Sequence, residues 1–168
     1  KTISIYTHPQ KQLEEIKEYN PRTLLGLPSG ILSLAKEVKE SDYKGIQLSL
    51  IFTNGEFLHE NYRSFIEETF HANLFRTWGA TEAGTIGHEC LEHRYHTGDT
   101  LLVETTRDGE VVSPGEEGEI TITNLVEYAQ PFIRFDLEDV GMIYDNKCSC
   151  GSNFPSLELT LGRMSDVI

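Results

Sequence analysis

The chain has little of several features that would place it in a distinct class of protein. None of its apolar runs approaches the roughly 20 residues that a helix needs to cross a bilayer. Three cysteines among 168 residues are too few for a disulfide scaffold, which points to the reducing cytoplasm. The N-terminal residues have neither a methionine nor the apolar stretch of a signal peptide, so we expect residue 1 to be a boundary within a longer chain.

Positive charge is also scarce. Lysine and arginine number 14 against 27 acidic residues, giving a net charge of −13. Such a field disfavours binding to nucleic acid or to an anionic membrane surface, and we predict neither as a partner. It gives no long-range attraction for ATP, so a nucleotide site would need local donors and a metal ion. The sequence leaves a homodimer open.

Strand-like and helix-like segments alternate along the chain up to about residue 86. With 38% hydrophobic residues, the chain can bury a core. Strands are predicted at 2–6, 23–27 and 46–52, and helices at 9–19, from Ser29 as N-cap through Val38, and at 60–70. This alternation predicts an α/β fold with a parallel βαβ layer over 1–86.

After residue 86 the pattern changes to short strand candidates separated by turn signals. The candidates are 100–105, 110–112, 119–125 and 141–144. We predict a small antiparallel, barrel-like subdomain over 87–162, most simply a barrel or sandwich. No internal repeat or low-complexity tract is visible in the sequence.

Four motifs in a fixed order carry a family resemblance. They are FRTWGATEAG (75–84), GEITITNL (118–125), PFIRFDLEDVG (131–141) and LGRMSDVI (161–168). This set resembles the acyl-adenylating, AMP-forming enzymes, and among them the phenylacetate–CoA ligase-like branch. The resemblance implies a piece of the large domain of such an enzyme. The parent would activate a small-molecule carboxylate with ATP and Mg²⁺ as an acyl-adenylate and pass the acyl group to coenzyme A.

Two loops that follow predicted strands suit a nucleotide, since ligands bind at the carboxyl ends of parallel strands. One contains Gly55 and Glu56, and the resemblance implies that its backbone lines the adenine pocket. The other, residues 78–82, combines an aromatic face, a glycine, a hydroxyl and a carboxylate. There the resemblance implies that Trp78 flanks adenine beside Gly79. The resemblance also implies two catalytic residues: Thr81 would contact the α-phosphate, and Glu82 would hold Mg²⁺, which one carboxylate with phosphate oxygens and water can do.

Asp139 and Arg163 complete the implied nucleotide site. By the same resemblance, Asp139 accepts hydrogen bonds from both ribose hydroxyls and Arg163 reaches the ribose or a phosphate. The chain departs from the family just before Asp139, where residues 136–138 add two carboxylates in place of a run that contains glycine. The last residues, 163–168, are predicted to begin the hinge to a C-terminal domain.

Two parts that the family needs are expected to lie outside this chain. No Ser/Thr/Gly-rich phosphate loop ending in lysine precedes residue 50, and the C-terminal domain with its catalytic lysine would follow the hinge. We therefore expect the isolated chain to be inactive. Two alternatives stay open: an adenylate-forming enzyme with an acceptor other than coenzyme A, as in related proteins encoded with capsular polysaccharide genes, or a zinc-stabilised domain without catalysis.

Cysteine and histidine gather in two short segments, 88–96 and 148–151. Their side chains suit tetrahedral Zn²⁺. We predict a structural zinc site with Cys90, His96, Cys148 and Cys150 as ligands, and His88 and His93 as reserves. The open alternatives are three unrelated thiols, or a strained disulfide between Cys148 and Cys150.

Overall fold

The computed structural model describes residues 1–161 and divides the chain into two compact units. The first unit is Lys1–Arg76, and the second begins at Thr77. Arg163 and the predicted hinge lie outside the described residues. Among the residues described, no helix is long and apolar enough to cross a membrane.

The first unit contains three helices and a parallel sheet. The helices are α1 (Pro9–Tyr19), α2 (Pro28–Glu40) and α3 (Glu60–Phe70), and the strands are β1 (Thr23–Gly26), β2 (Leu50–Thr53) and the first part of β3 (Asn73–Ala80). The strands pair in the order β1-β2-β3, all parallel. A proline begins both α1 and α2, where its fixed φ and missing N–H do no harm.

A row of apolar residues across these strands forms the core of the first unit. Leu24, Ile51 and Leu74 are register partners, and the last two are buried. The buried stripe of α2 packs in the same cluster, with Ile31, Leu34, Ala35 and Val38 at helical spacing. The parallel α/β layer predicted from the alternation is therefore confirmed.

The second unit is antiparallel. Its strands are the end of β3, then β4 (Gly84–Glu89), β5 (Tyr95–Thr97), β6 (Leu101–Arg107), β7 (Glu110–Val111), β8 (Glu117–Asn124), β9 (Phe135–Tyr144) and β10 (Ser156–Leu161). Among residues 1–161 the pairing runs β3-β4-β5-β10-β9-β8-β6-β7 and does not close on itself. The antiparallel arrangement is confirmed, but the sheet is open rather than closed into a barrel.

The predicted elements differ from the structure where apolar residues are buried without joining a ladder. Residues 2–6 and 46–49 are not strands, although Ile3 and Ile46 pack against the core. The N-cap of α2 is Leu27 rather than Ser29, since Pro28 already begins the helix. Strands β4, β5 and β10 were not predicted. Strand β4 contains two glycines, β5 has only three residues, and β10 pairs with β5 from far along the chain.

Candidate functional site

The hairpin between β3 and β4 presents the motif that follows Trp78. Its backbone fits closely: a Cβ at Gly79 would overlap the carbonyl oxygen of Gly84, so only glycine suits this register. Thr81 is exposed and Glu82 is half-buried in the three-residue turn. A hydroxyl and a carboxylate therefore stand at the tip of this turn; their contacts with phosphate and Mg²⁺ stay predictions.

Trp78 and Asp139 meet in the second unit, although 61 residues separate them. The indole Nε1–H donates to Asp139 Oδ2 at 3.0 Å. The indole is 8% exposed and lies in the unit's core, where it contacts the ring of Tyr95 at 6.3 Å between centroids. Asp139 is half-buried. The two motifs predicted to bind one nucleotide are thus joined, with the indole orienting the carboxylate; the stacking of Trp78 on adenine stays a prediction.

A bulge in β9 sets the position of Asp139. Asp136 pairs with Thr121 and Val140 with Glu119, so three residues of β9 oppose the single residue Ile120. Glu138 adopts a left-handed conformation with φ of 61°, and its N–H donates to Asp136 Oδ1 at 2.8 Å. Bulges of this kind re-aim side chains beside functional sites. The carboxylates at 136 and 138 therefore take part in a defined bend just before Asp139.

The loop with Gly55 and Glu56 belongs to the first unit. Gly55 has φ of 77°, a conformation that favours glycine. The Glu56 carboxylate accepts from the Ser29 backbone N–H and from its hydroxyl, both at 2.9 Å. Because helix N-termini attract negative charge, this contact anchors the loop to the start of α2. The side chain of Glu56 is thus engaged, and the predicted use of the backbone for adenine stays a prediction.

The four predicted metal ligands come together in the second unit. The ligand atoms of Cys90, His96, Cys148 and Cys150 all lie within 4.8 Å of one another. Cys90 Sγ is 3.8 Å from Cys148 Sγ, and Cys150 Sγ is 3.2 Å from His96 Nε2. All three cysteines are free thiols, so the alternative of a Cys148–Cys150 disulfide is not formed.

The orientation of His96 suits a ligand. Its Nδ1 is 3.1 Å from the carbonyl oxygen of Phe154. Because a carbonyl only accepts, this contact puts the ring proton on Nδ1 and leaves the Nε2 lone pair facing the sulfurs. The reserve ligand His93 instead lies 3.4 Å from the buried carboxylate of Glu89.

The thiols differ in acidity. A hydrogen bond from the Cys150 backbone N–H, assisted by the neighbouring side chains, lowers the pKa of Cys148 to about 7. For Cys150 the backbone N–H of Ser152 acts to lower the pKa, but desolvation and the neighbouring sulfurs raise it overall. One thiolate near neutral pH beside two further thiols and an imidazole forms a donor set for a soft or borderline cation such as Zn²⁺.

Sequence reasoning missed two residues that surround these sites. Glu89 is buried next to Cys90 in the chain, and Tyr95, the neighbour of His96 in the chain, contacts the ring of Trp78. The only signal for Tyr95 was an aromatic residue adjacent to a predicted ligand.

Comparisons with known proteins support the motif resemblance. No protein-family model matches the chain. A phenylacetate–CoA ligase of Thermus thermophilus is 24% identical over 95% of this chain and 38% of its own length. One from Pseudomonas putida is 26% identical over 78% of this chain and 32% of its own. The chain thus spans about a third of the length of these curated relatives.

Solved structures share the fold. An open conformation of 2-hydroxyisobutyryl-CoA ligase with 2-HIB-AMP and CoA has a TM-score of 0.84 at 20% identity, covering 98% of this chain and 41% of that one. The anthranilate CoA ligase AuaEII with anthranoyl-AMP has a TM-score of 0.74 at 13% identity, covering 98% and 34%. The predicted resemblance to part of an adenylate-forming CoA ligase of the phenylacetate type is confirmed.

Proposed function

We propose that this chain is part of the large domain of an AMP-forming acid–CoA ligase, and that its second unit binds the nucleotide. The observation that carries the proposal is the Trp78–Asp139 hydrogen bond, which joins two motifs that the same resemblance assigns to one ligand. The likeness to phenylacetate–CoA ligases and to structures with bound acyl-AMP supports the same function.

In this proposal Asp139 accepts the ribose hydroxyls and Thr81 contacts the α-phosphate. The indole N–H holds one carboxylate oxygen, so the carboxylate is oriented before the nucleotide arrives. The Glu82 carboxylate would hold Mg²⁺, which neutralises phosphate charge when bound. A substrate carboxylate then attacks the α-phosphorus and pyrophosphate leaves, a step that depends mainly on positioning and charge stabilisation. Gly55, Glu56 and Arg163 stay predicted contributors.

Coenzyme A is the proposed acceptor because the named relatives are CoA ligases. The test is ATP–pyrophosphate exchange by the whole gene product with a panel of aromatic and aliphatic acids, followed by AMP release with and without coenzyme A. Exchange together with coenzyme A-dependent AMP release is expected. Exchange without any effect of coenzyme A would favour another acceptor, and no exchange with any acid would contradict the proposal.

A structural zinc site in the second unit is the second proposal. The convergence of Cys90, His96, Cys148 and Cys150 within 4.8 Å supports it, since free thiols and an oriented imidazole fit tetrahedral Zn²⁺. These ligands follow β4, lie on β5 and lie between β9 and β10, so the metal would join three parts of the sheet. Reduced thiols are required, in keeping with a cytoplasmic location.

A further inference from the structure

Strand β5 contributes to both proposed sites, with His96 in the metal cluster and Tyr95 against the ring of Trp78. It has only three residues, Tyr95–Thr97, and pairs with β4 on one side and β10 on the other. Successive side chains of a strand point to opposite faces. Tyr95 is accordingly buried in the core, whereas His96 faces the three cysteines. One short strand therefore carries a ligand of the metal cluster and a core residue next to it.

Tyr95 reaches Trp78 across β4. Gly87 of β4 pairs with Trp78 on one side and Thr97 on the other. A Cβ at Gly87 would lie 3.2 Å from Tyr95 Cβ and 3.3 Å from the His96 carbonyl oxygen, so the absence of a side chain lets the rings approach. The Trp78 and Tyr95 rings contact at an interplanar angle of 57°. On its other side Trp78 holds Asp139 through Nε1.

We propose that Tyr95 is a positioning residue that links the Cys90/His96/Cys148/Cys150 cluster to the Trp78–Asp139 pair, so that a metal held by the cluster fixes the indole and the carboxylate that receives the nucleotide. This inference rests on the proposed zinc and nucleotide sites. The physical reason is the small number of contacts that hold β5. A three-residue strand has few ladder hydrogen bonds of its own, and His96 would add a metal bond at its centre.

The chain offers a direct probe, because Trp78 is its only tryptophan. The experiment uses the 168-residue chain, with zinc loaded and with zinc removed by chelation and dialysis. Zinc content, tryptophan emission with acrylamide quenching, and far-UV circular dichroism are measured on each sample. Removing zinc is expected to shift the emission to longer wavelength and to increase quenching while the secondary structure is retained.

Variants separate this link from general loosening of the core. Tyr95→Leu is expected to bind zinc but to lose the response of Trp78, whereas Tyr95→Phe keeps the ring and the response. Leu101→Ala is the matched control: Leu101 belongs to the same core cluster and is equally buried, at 7% exposure. It lies on β6, away from β3–β5, and its variant is expected to keep the response.

The outcomes distinguish the inference from the proposals beneath it. A chain that binds no zinc overturns the metal site and this inference together. Zinc binding with an unchanged Trp78 signal overturns the inference alone, as does a wild-type response in Tyr95→Leu. Loss of the circular dichroism signal on zinc removal also overturns the inference, because general unfolding would then explain the change at Trp78 without a link through Tyr95. If Tyr95→Leu does not fold, the Trp78 emission of the wild-type chain with and without zinc decides whether metal loss reaches the indole.

Discussion

At the scale of single residues, an indole donor and a backbone bulge position the carboxylate of Asp139. Hydrogen bonds to charged groups contribute more than neutral ones, on the order of 1.5–3 kcal/mol. The Nε1–Oδ2 bond therefore fixes one oxygen of a half-buried carboxylate. Glu138, with its positive φ, holds the bend that brings Asp139 to this place.

Trp78→Phe removes the indole donor and part of a buried ring. We expect the free energy of unfolding to fall by about 1–3 kcal/mol, because Asp139 loses a partner and the core loses contacts. Urea denaturation followed by circular dichroism measures it, since the variant has no tryptophan signal. Asp139→Asn keeps an acceptor for Nε1 and is expected to change stability less; equal losses in both variants would show that the bond matters little.

Glu138→Gly tests the strained bend. A left-handed conformation costs a residue with a side chain about 1 kcal/mol or more, and glycine adopts it freely. We expect Glu138→Gly to be at least as stable as wild type in urea denaturation. Glu138→Val should be less stable by about 1–3 kcal/mol, because a β-branched residue fits this region poorly. Similar stability of the two variants would contradict the assigned backbone conformation.

At the scale of elements, the Cys90/His96/Cys148/Cys150 cluster brings together the residue after β4, the centre of β5 and the segment before β10. Few ladder bonds hold β5 in place, whereas β6, β8 and β9 pair over long registers. A metal would thus act on the part of the sheet with the weakest pairing.

His96→Ala and His93→Ala make a matched pair for this site. Both remove a histidine from the same region, but only His96 belongs to the cluster, whereas His93 contacts Glu89. We expect about one zinc per chain in wild type and in His93→Ala, and loss of zinc in His96→Ala.

Hydrogen exchange should then show faster exchange in β4, β5 and β10 of His96→Ala while α1 to α3 keep wild-type rates. Equal zinc content in the two variants would rule out His96 as a ligand. If the purified wild-type chain contains no zinc, the site as a whole is ruled out.

At the scale of the whole molecule, the net charge of −13 works against an anionic ligand. Since Mg²⁺ neutralises phosphate charge, we expect the affinity for ATP to rise strongly when Mg²⁺ is added and the affinity for AMP to rise less. Calorimetric titration of both nucleotides with and without Mg²⁺ measures this. An ATP affinity that is the same with and without Mg²⁺ would count against a site built around Glu82.

How much the sequence predicts depends on the kind of signal. The convergence of Cys90, His96, Cys148 and Cys150 was predictable because metal-binding side chains are rare and clustered in the sequence. Helices α1 and α3 were predicted with their bounds because their apolar stripes are regular. The role of Tyr95 could not be predicted, since its contact with Trp78 depends on the register of β3, β4 and β5 across Gly87. The open sheet likewise depends on long-range pairing that turn signals do not specify.

The central claim, that Asp139 receives the ribose of a nucleotide, is tested most directly by comparing Asp139→Asn with Asp136→Asn in the whole gene product. Each substitution removes one negative charge, and Asp136 is an exposed neighbour whose hydrogen bond to the Glu138 N–H an asparagine oxygen can keep. The dissociation constant of AMP is measured by calorimetry. Loss of a charged acceptor should weaken AMP binding by about 1–3 kcal/mol, or roughly 5- to 150-fold, in Asp139→Asn. Asp136→Asn should bind AMP as tightly as wild type or more tightly. Unchanged AMP affinity in Asp139→Asn would contradict the account.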